Sequence, residues 1–170
     1  MKKTLRVLNE LEKKGIIQRY AMGGAVASLF YMEPVLTYDL DVFVFLHSPK
    51  GKLLSLAPIY ECLRGKGYTA VREHVVIEGV PVQFIPAYNA LVEEAVKEAK
   101  TVRYQGIRVR VLLPEHLVAI MLQTFRPKDR SRIPQFLEEA KLNRARLSGI
   151  LGRHGLKERW DQLTKGFHAR

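Results

Sequence analysis

The sequence predicts an α/β fold, in which a mixed, twisted sheet is flanked by helices and followed by a C-terminal helical annex. Short β-branched and aromatic runs alternate with helical patterns up to about residue 113, whereas only helical patterns follow. Two of the runs are split by Glu78-Gly79 and Gln105-Gly106, which are typical of tight hairpin turns. We therefore expect an α/β domain over residues 1–113 and a basic helical region over residues 114–170 packed on it.

The first elements follow from apolar spacing. Residues 4–15 (TLRVLNELEKKG) have leucines about one turn apart and end in glycine, as an amphipathic helix with a glycine cap does. Residues 16–22 (IIQRYAM) predict a short strand, and residues 25–31 (AVASLFY) predict a helix. Residues 39–46 (DLDVFVFL) form the strongest predicted strand, because apolar side chains occupy both of its faces.

The later elements follow from turn residues and caps. Ser, Pro and Gly predict a loop over 47–52, and a helix is expected over 53–67. Two hairpins, over 74–87 and 101–113, enclose a helix over 89–100 that begins with an asparagine cap. In the second hairpin arginines alternate with apolar residues, which predicts one buried face and one basic face. Four helical segments follow, over residues 114–125, 129–141, 143–155 and 156–163.

The charge of the chain is concentrated in its C-terminal part. The net charge is +11; residues 1–100 have 13 Lys and Arg against 11 Asp and Glu, and residues 101–170 have 15 against 6. This distribution fits either a polyanionic partner or a solvated basic face, and arginine suits phosphate well. The single cysteine excludes an internal disulfide, and the N-terminal segment has neither signal-peptide nor membrane-span character. We therefore expect a cytoplasmic protein with no membrane partner.

Two aspartates in the strongest strand are the first candidates for chemistry. Asp39 and Asp41 are two residues apart, so their side chains point to the same face of an extended strand, roughly 6–7 Å apart. Two carboxylates held in this way repel each other, and a hard divalent cation such as Mg²⁺ relieves the repulsion. The alternative is structural, with Asp39 capping the strand and Asp41 facing water at a sheet edge.

A glycine pair precedes the aspartates. Gly23-Gly24 lies between a predicted strand and a predicted helix, where glycine lets backbone N–H groups approach a phosphate closely. A plain tight turn is the alternative. Ser28 lies one turn into the helix, where it either faces a phosphate or packs. The order of strand, glycine pair, helix and Asp-x-Asp strand suits the phosphates and metal of one nucleoside triphosphate.

This order of motifs resembles the DNA polymerase beta-like nucleotidyltransferase superfamily. The matching residues are Met22-Gly23-Gly24 and Asp39-Leu40-Asp41-Val42. With Thr37 ahead of the aspartates and a helical tail behind them, the chain looks most like AbiEii-type toxins and related small bacterial nucleotidyltransferases. These have a later Lys-Asp motif, for which Lys128-Asp129 stands in a comparable place. The resemblance implies a nucleotidyltransferase-like fold.

The resemblance also implies a reaction and the residues that support it. It implies transfer of a nucleoside monophosphate from a nucleoside triphosphate to a hydroxyl on RNA, such as tRNA, or on a protein. Asp39 and Asp41 would be the catalytic carboxylates and would hold Mg²⁺ or Mn²⁺ with Gln83. The nucleotide would be bound by Gly23, Gly24, Ser28 and Lys128.

The sequence departs from the family's pattern at two places in the site. The family has a third carboxylate where the strand VPVQFIPA offers Gln83, and Arg132 replaces a second acid after Lys128. Because an amide cannot act as a base, the departure leaves three alternatives open: a slow transferase, a transferase with a substituted base, or a protein that only binds RNA or a partner. A toxin–antitoxin component is a further alternative. Glu73, His74 and Glu78 are nearby in the sequence and could substitute for the missing carboxylate, although we expect each of them at the surface.

Overall fold

The computed structural model of the protein describes residues 1–33, 37, 39–46 and 55–168. The helices are α1 (Lys2–Lys13), α2 (Gly24–Ser28), α3 (Ala57–Gly65), α4 (Ala90–Lys97), α5 (Pro114–Thr124), α6 (Pro127–Glu139), α7 (Arg144–Arg153) and α8 (Lys157–His168). The strands are β1 (Arg19–Met22), β2 (Leu40–Phe45), β3 (Ala70–Val71), β4 (His74–Ile77), β5 (Val80–Pro86), β6 (Lys100–Tyr104) and β7 (Ile107–Val111).

All seven strands form one mixed sheet with the order β3-β4-β5-β2-β1-β7-β6. The pairs β2–β5 and β1–β7 are parallel, and the other four pairs are antiparallel. Strand β2 therefore lies inside the sheet, between β1 and β5. The predicted mixed sheet flanked by helices is confirmed.

Both predicted hairpins form, and their turns explain why the sequence signals were reliable. Glu78 and Gly79 have φ angles of 52° and 79°, and Gln105 and Gly106 have φ angles of 48° and 81°. Two successive residues with positive φ match the right-handed twist of the flanking strands, and glycine takes the second position without strain. The turns thus fix the register of β4 with β5 and of β6 with β7.

The structure differs from the sequence predictions at three elements. Helix α2 ends at Ser28 instead of residue 31, because the Ser28 hydroxyl donates to the Ala25 carbonyl at 2.6 Å and a tight turn follows. Strand β3 was not predicted, since two residues carry no alternation signal. Helix α6 begins at Pro127 and continues through Pro134. The loop predicted over 47–52 and the first residues of the helix predicted over 53–67 lie outside the described residues.

One apolar core extends from the sheet into the C-terminal helices. Leu8 of α1, Val42 of β2, Val118 of α5 and Ile150 of α7 are each fully buried within it. Helix α5 packs against α2, α4, α6 and α7, so it joins the sheet layer to the later helices. None of the described helices has the length and apolar content needed to cross a membrane.

The second hairpin shows how part of the basic charge is used internally. Val109 is buried and Arg108 is exposed, which confirms the predicted alternation of faces. Arg110, however, forms an ion pair of 2.9 Å with Glu12 of α1 and also donates to the Tyr20 carbonyl. This arginine therefore holds α1 against the sheet.

A charged cluster connects α4 to α5 and α7. The carboxylate of Glu94 accepts from Arg153 Nη2 at 2.6 Å and contacts the ring nitrogens of His154 at 2.8 Å and His116 at 3.2 Å. The bond from Arg153 is the main reason why the pKa of Glu94 is lowered to about 2. Glu94 therefore remains charged over the whole neutral and mildly acidic range.

This cluster predicts an acid-sensitive step in stability. The folded pKa of Glu94 lies below its ordinary value of 4.5, so its contribution is complete above that pH and is lost as the pH falls toward about 2. We expect Glu94→Gln to be about 2 kcal/mol less stable at neutral pH and to lose less stability than the wild type on acidification. Urea unfolding at several pH values measures both effects.

The matched control for this prediction is Glu93→Gln, which alters a half-exposed carboxylate of the same helix that pairs with the solvent-exposed Lys97. It should follow the wild-type pH profile. If the free energy of unfolding of Glu94→Gln fell on acidification as steeply as that of the wild type, Glu94 would not couple stability to pH.

Candidate active site

The two aspartates lie at the start of an interior strand. Asp41 is in β2, and its neighbour in the parallel strand β5 is Gln83. Asp39 lies just ahead of β2, and its Oδ1 accepts from the Thr37 hydroxyl at 3.0 Å. Because β2 lies between β1 and β5, Asp41 is not at a sheet edge, and that part of the structural alternative is wrong.

The glycine pair makes room for the side chains of β2. Gly24 has a φ of +57°, and a Cβ built on it would overlap Asp41 Oδ2. A Cβ on Gly23 would overlap the ring of Phe43. The Gly23 N–H donates to the Asp41 carbonyl at 2.9 Å, so this amide is already used within the protein. The sequence suggested close approach of a phosphate here, and the structure shows close approach of a carboxylate and an aromatic ring.

A cavity of about 250 Å³ opens beside the aspartates. It brings together nearly all the predicted site residues: Gly24, Ser28, Asp39, Asp41, Gln83 and Lys128. Its inner wall includes apolar side chains of β2, α5 and α6, namely Phe43, Leu117, Ile120, Met121 and Phe136. Three cationic side chains also line the cavity and form what we call its cationic wall: Arg126, Lys128 and Arg132. Gly23 is not among the lining residues, and its missing Cβ would meet the ring of Phe43.

The side chains of the Lys-Asp motif have different roles. Asp129 is 2% exposed and accepts from Arg126 Nε at 2.7 Å and from the Thr124 hydroxyl at 2.8 Å. It also accepts from the Arg126 backbone N–H, which forms one half of a capping box at the start of α6; the Arg126 side chain has no acceptor for the other half. Lys128 is exposed and lines the cavity. Asp129 thus positions Arg126, while Lys128 supplies charge to the cavity.

The negative charge of Asp41 has little compensation from other charged groups of the protein. Burial raises its pKa, the charge of Asp39 raises it further, and Lys128, Arg126 and His74 lower it at longer range. The net shift is upward. Among the described residues, none forms an ion pair with Asp41, so an additional cation beside the two aspartates would stabilise its ionised form.

Ser28 lines the cavity but uses its hydroxyl proton locally. The side chain is 4% exposed and donates to the Ala25 carbonyl. Its oxygen can accept a hydrogen bond from a ligand, but donation to a phosphate would require the bond to Ala25 to break. The packing alternative for Ser28 is therefore the one that the structure favours.

His74 was expected at the surface, and that expectation is wrong. Its side chain is 23% exposed, and Nε2 lies 3.5 Å from Asp39 Oδ2. Glu73 and Glu78 are exposed, as expected. Register counting from the Glu78-Gly79 turn could have placed His74 beside Gln83, because the turn fixes which residues of β4 and β5 are opposite.

The aspartates are not the tightest group of metal-ligating side chains. Among the described residues, only Glu94, Glu98 and His116 form a set of three whose ligand atoms all lie within 4.8 Å of one another. In that set Glu94 is already bound to Arg153 and His154, so the chain itself supplies the balancing charge. Asp39, Asp41 and His74 are less closely grouped, and side-chain rotation would be needed to bring them onto one ion.

Two solved structures share this architecture. The chain matches an antigenic nucleotidyltransferase-like protein from Paracoccidioides brasiliensis with a TM-score of 0.54 at 15% identity, covering 94% of this chain and 90% of that chain. It matches the antibiotic-resistance factor ANT(2'')-Ia with a TM-score of 0.51 at 15% identity, covering 99% and 98%. At this identity the likeness is one of fold, and it confirms the predicted nucleotidyltransferase fold.

Family membership follows from the sequence match. Residues 1–157 match the model of the family DUF2204, described as a nucleotidyl transferase of unknown function. The chain therefore belongs to this nucleotidyltransferase family. The comparison with curated proteins gave no match.

The contact between Gly24 and Asp41 leads to a prediction on stability. Gly24→Ala should destabilise the protein in two ways, through its positive φ and through overlap with the Asp41 carboxylate. Gly79→Ala isolates the first effect, because Gly79 has a φ of +79° and open space around the missing Cβ. We expect a loss of about 1 kcal/mol for Gly79→Ala and at least about 1 kcal/mol more for Gly24→Ala, measured by urea unfolding. Equal losses would mean that Asp41 does not pack against Gly24.

Proposed function

We propose that the protein is a metal-dependent nucleotidyltransferase that transfers a nucleoside monophosphate from a nucleoside triphosphate to a hydroxyl group. The observation that carries the proposal is the cavity that Asp39 and Asp41 line together with Lys128 and Arg126. A metal–triphosphate complex is bound by acidic side chains, which hold the metal, and by basic side chains, which contact the phosphates. The family and the fold support the same reaction class.

The donor set fits a hard divalent cation. Asp39 and Asp41 offer carboxylate oxygens, and the Gln83 side chain next to Asp41 offers a neutral amide oxygen. Mg²⁺ and Mn²⁺ prefer such oxygen ligands and keep water or phosphate oxygens in the remaining positions. The raised pKa of Asp41 indicates that the pair of carboxylates is not neutralised within the chain.

The triphosphate would contact the cationic wall. Lys128 reaches the cavity as a point charge, and Arg126 is held in place by Asp129. The first amides of α2, from Gly24 onward, have no partner inside their own helix and can donate to a phosphate. Gly23 would contribute by having no side chain, since its own N–H is already used.

The reaction is an in-line displacement at the α-phosphorus. The acceptor oxygen forms a bond to this phosphorus, the hydroxyl proton is released, and the bond to the bridging oxygen breaks so that pyrophosphate leaves. A bound divalent cation would neutralise the charge of the phosphates. Lys128 and Arg126 would stabilise the charge that develops on the leaving group, and positioning accounts for most of the rate.

The acceptor would bind at the mouth of the cavity. The cavity of about 250 Å³ is smaller than typical ligand pockets of about 300–1,000 Å³, so the substrates would extend beyond it. Tyr88 lies at this mouth and is 53% exposed. Together with the basic surplus of residues 101–170, it supports RNA, such as tRNA, as the acceptor; a protein hydroxyl is the other acceptor class.

We further propose that the protein is related to AbiEii-type toxins, that it acts as a toxin–antitoxin component and that it is located in the cytoplasm.

Removing the charge of Asp41 tests the metal site. We expect Asp41→Asn to bind Mg²⁺-ATP and Mg²⁺-GTP at least roughly tenfold more weakly than the wild type, as measured by calorimetry. Without metal the variant should be at least as stable as the wild type, because burial and Asp39 disfavour the ionised Asp41. Asp161→Asn, which alters an exposed carboxylate of α8, is the matched control. Absence of binding by the wild type, or equal binding by both proteins, would contradict the proposed site.

A second candidate function is nucleotide or RNA binding without transfer. The observation in its favour is that Gln83 lies directly opposite Asp41, where the family has a third carboxylate. Because an amide cannot accept the hydroxyl proton, this candidate predicts binding without release of pyrophosphate.

Restoring the third carboxylate distinguishes the two candidates. We expect Gln83→Glu to bind Mg²⁺ roughly tenfold more tightly and to release pyrophosphate faster in a transfer assay with total RNA as the acceptor. Gln135→Glu, at an exposed position of α6, controls for the added charge. Tighter Mg²⁺ binding without any pyrophosphate release would favour the binding protein, and unchanged Mg²⁺ affinity would show that residue 83 is not a metal ligand.

A further inference from the structure

His74 lies in the same row of the sheet as the two site residues of β2 and β5. In the antiparallel pair of β4 and β5, Val75 is opposite Val82, which places His74 opposite Gln83. Gln83 is in turn opposite Asp41. Because the side chains of directly opposite residues point to the same face, the three side chains form one row across three strands.

The imidazole of His74 approaches Asp39 without forming a hydrogen bond to it. Nε2 lies 3.5 Å from Asp39 Oδ2, but it is buried and has no hydrogen-bond partner among the described residues. Buried side-chain nitrogens without a partner are uncommon in folded proteins. The nitrogen therefore faces the carboxylate of Asp39, and no described residue forms a hydrogen bond with it.

The nearby acids do not provide the missing third carboxylate. Glu78 accepts from the Tyr68 hydroxyl at 2.8 Å and lies within 3.8 Å of Lys3 Nζ, on the surface. Glu73 is exposed. Of the ionisable residues that surround the hairpin turn, only His74 contacts an aspartate of the site.

We propose that His74 Nε2 is a further side-chain ligand of the metal site, beside Asp39, Asp41 and Gln83, and that it supplies a nitrogen donor to a site otherwise built from oxygen. This inference rests on the proposed function. Two ligands at right angles around an ion with bonds of about 2.1 Å are about 3 Å apart, so the 3.5 Å between Nε2 and Asp39 Oδ2 needs only a small closure. Asp41 would complete the set by rotation of its side chain.

An imidazole ligand changes which metal the site prefers. Carboxylate and water ligands suit Mg²⁺, whereas imidazole nitrogen favours first-row transition metals. A site with two carboxylates and one imidazole is also less negative than a site with three carboxylates. The protein should therefore discriminate in favour of Co²⁺ or Mn²⁺ over Mg²⁺ more strongly than a site built from oxygen ligands alone.

Metal titrations of His74→Asn test this inference. With Co²⁺ as the probe, followed by calorimetry and by its visible absorption, we expect at least a roughly tenfold loss of affinity, whereas Mg²⁺ affinity should change much less. His74→Gln serves as a second variant, and circular dichroism establishes that both variants fold. Glu73→Gln is the neighbouring control, and Glu98→Gln reports any Co²⁺ that binds at the set of Glu94, Glu98 and His116, because it removes one of those three ligands.

The metal affinities of His74→Asn and Asp41→Asn distinguish a failure of the inference from a failure of the proposed function. Unchanged Co²⁺ affinity in His74→Asn, with loss in Asp41→Asn, would overturn the role of His74 and leave the metal site in place. Equal losses of Co²⁺ and Mg²⁺ affinity in His74→Asn would also overturn it, because they would indicate that His74 positions Asp39. If wild type and Asp41→Asn bind both metals equally, the proposed function and the inference both fail.

Discussion

The packing of β2 against the turn that connects β1 to α2 determines the position of the whole site. Asp41 and Phe43 occupy the space that side chains at residues 23 and 24 would fill, and the Gly23 N–H is bonded to the Asp41 carbonyl. This contact holds the start of α2 against an interior strand of the sheet. Because interior packing is dense, this contact fixes the backbone of Asp41 beside the cavity. The same turn that resembles a phosphate-binding loop is therefore also the support for an acidic side chain.

The cationic wall depends on a second buried carboxylate. The carboxylate of Asp129 accepts hydrogen bonds from Arg126 and Thr124, so it is used within the protein and fixes the first turn of α6. That turn presents Lys128 and Arg126 toward Asp41. The helices after residue 113 thus do more than add basic charge, because they supply one wall of the cavity.

The sequence predicted the elements whose signals are local. The Glu-Gly and Gln-Gly turns, the apolar run of β2 and the glycine after α1 each depend on a few neighbouring residues, and each was confirmed. The sequence also indicated most of the residues that meet in the cavity, because the motif order is a property of the family. It did not indicate two side-chain hydrogen bonds, that of Ser28 at the end of α2 and those of Asp129 at the start of α6, because many polar side chains could make such local bonds. It also did not indicate one distant contact, the approach of His74 to Asp39. This contact requires the registers of three strands at once.

Two clusters of carboxylates and histidines in this protein differ in how their charge is balanced. In the cluster on α4, Arg153 binds Glu94 directly and lowers its pKa to about 2. Beside Asp39 and Asp41, the described arginine and lysine act only from a longer distance, and the pKa of Asp41 is raised. The pKa is thus lowered for Glu94 and raised for Asp41, although both clusters consist of carboxylates and histidines. Side-chain identity alone therefore does not distinguish a structural cluster from a ligand site. In the first cluster the chain itself supplies the balancing charge. In the second a cation from outside the chain would supply it, and for this reason we place the proposed chemistry at the second.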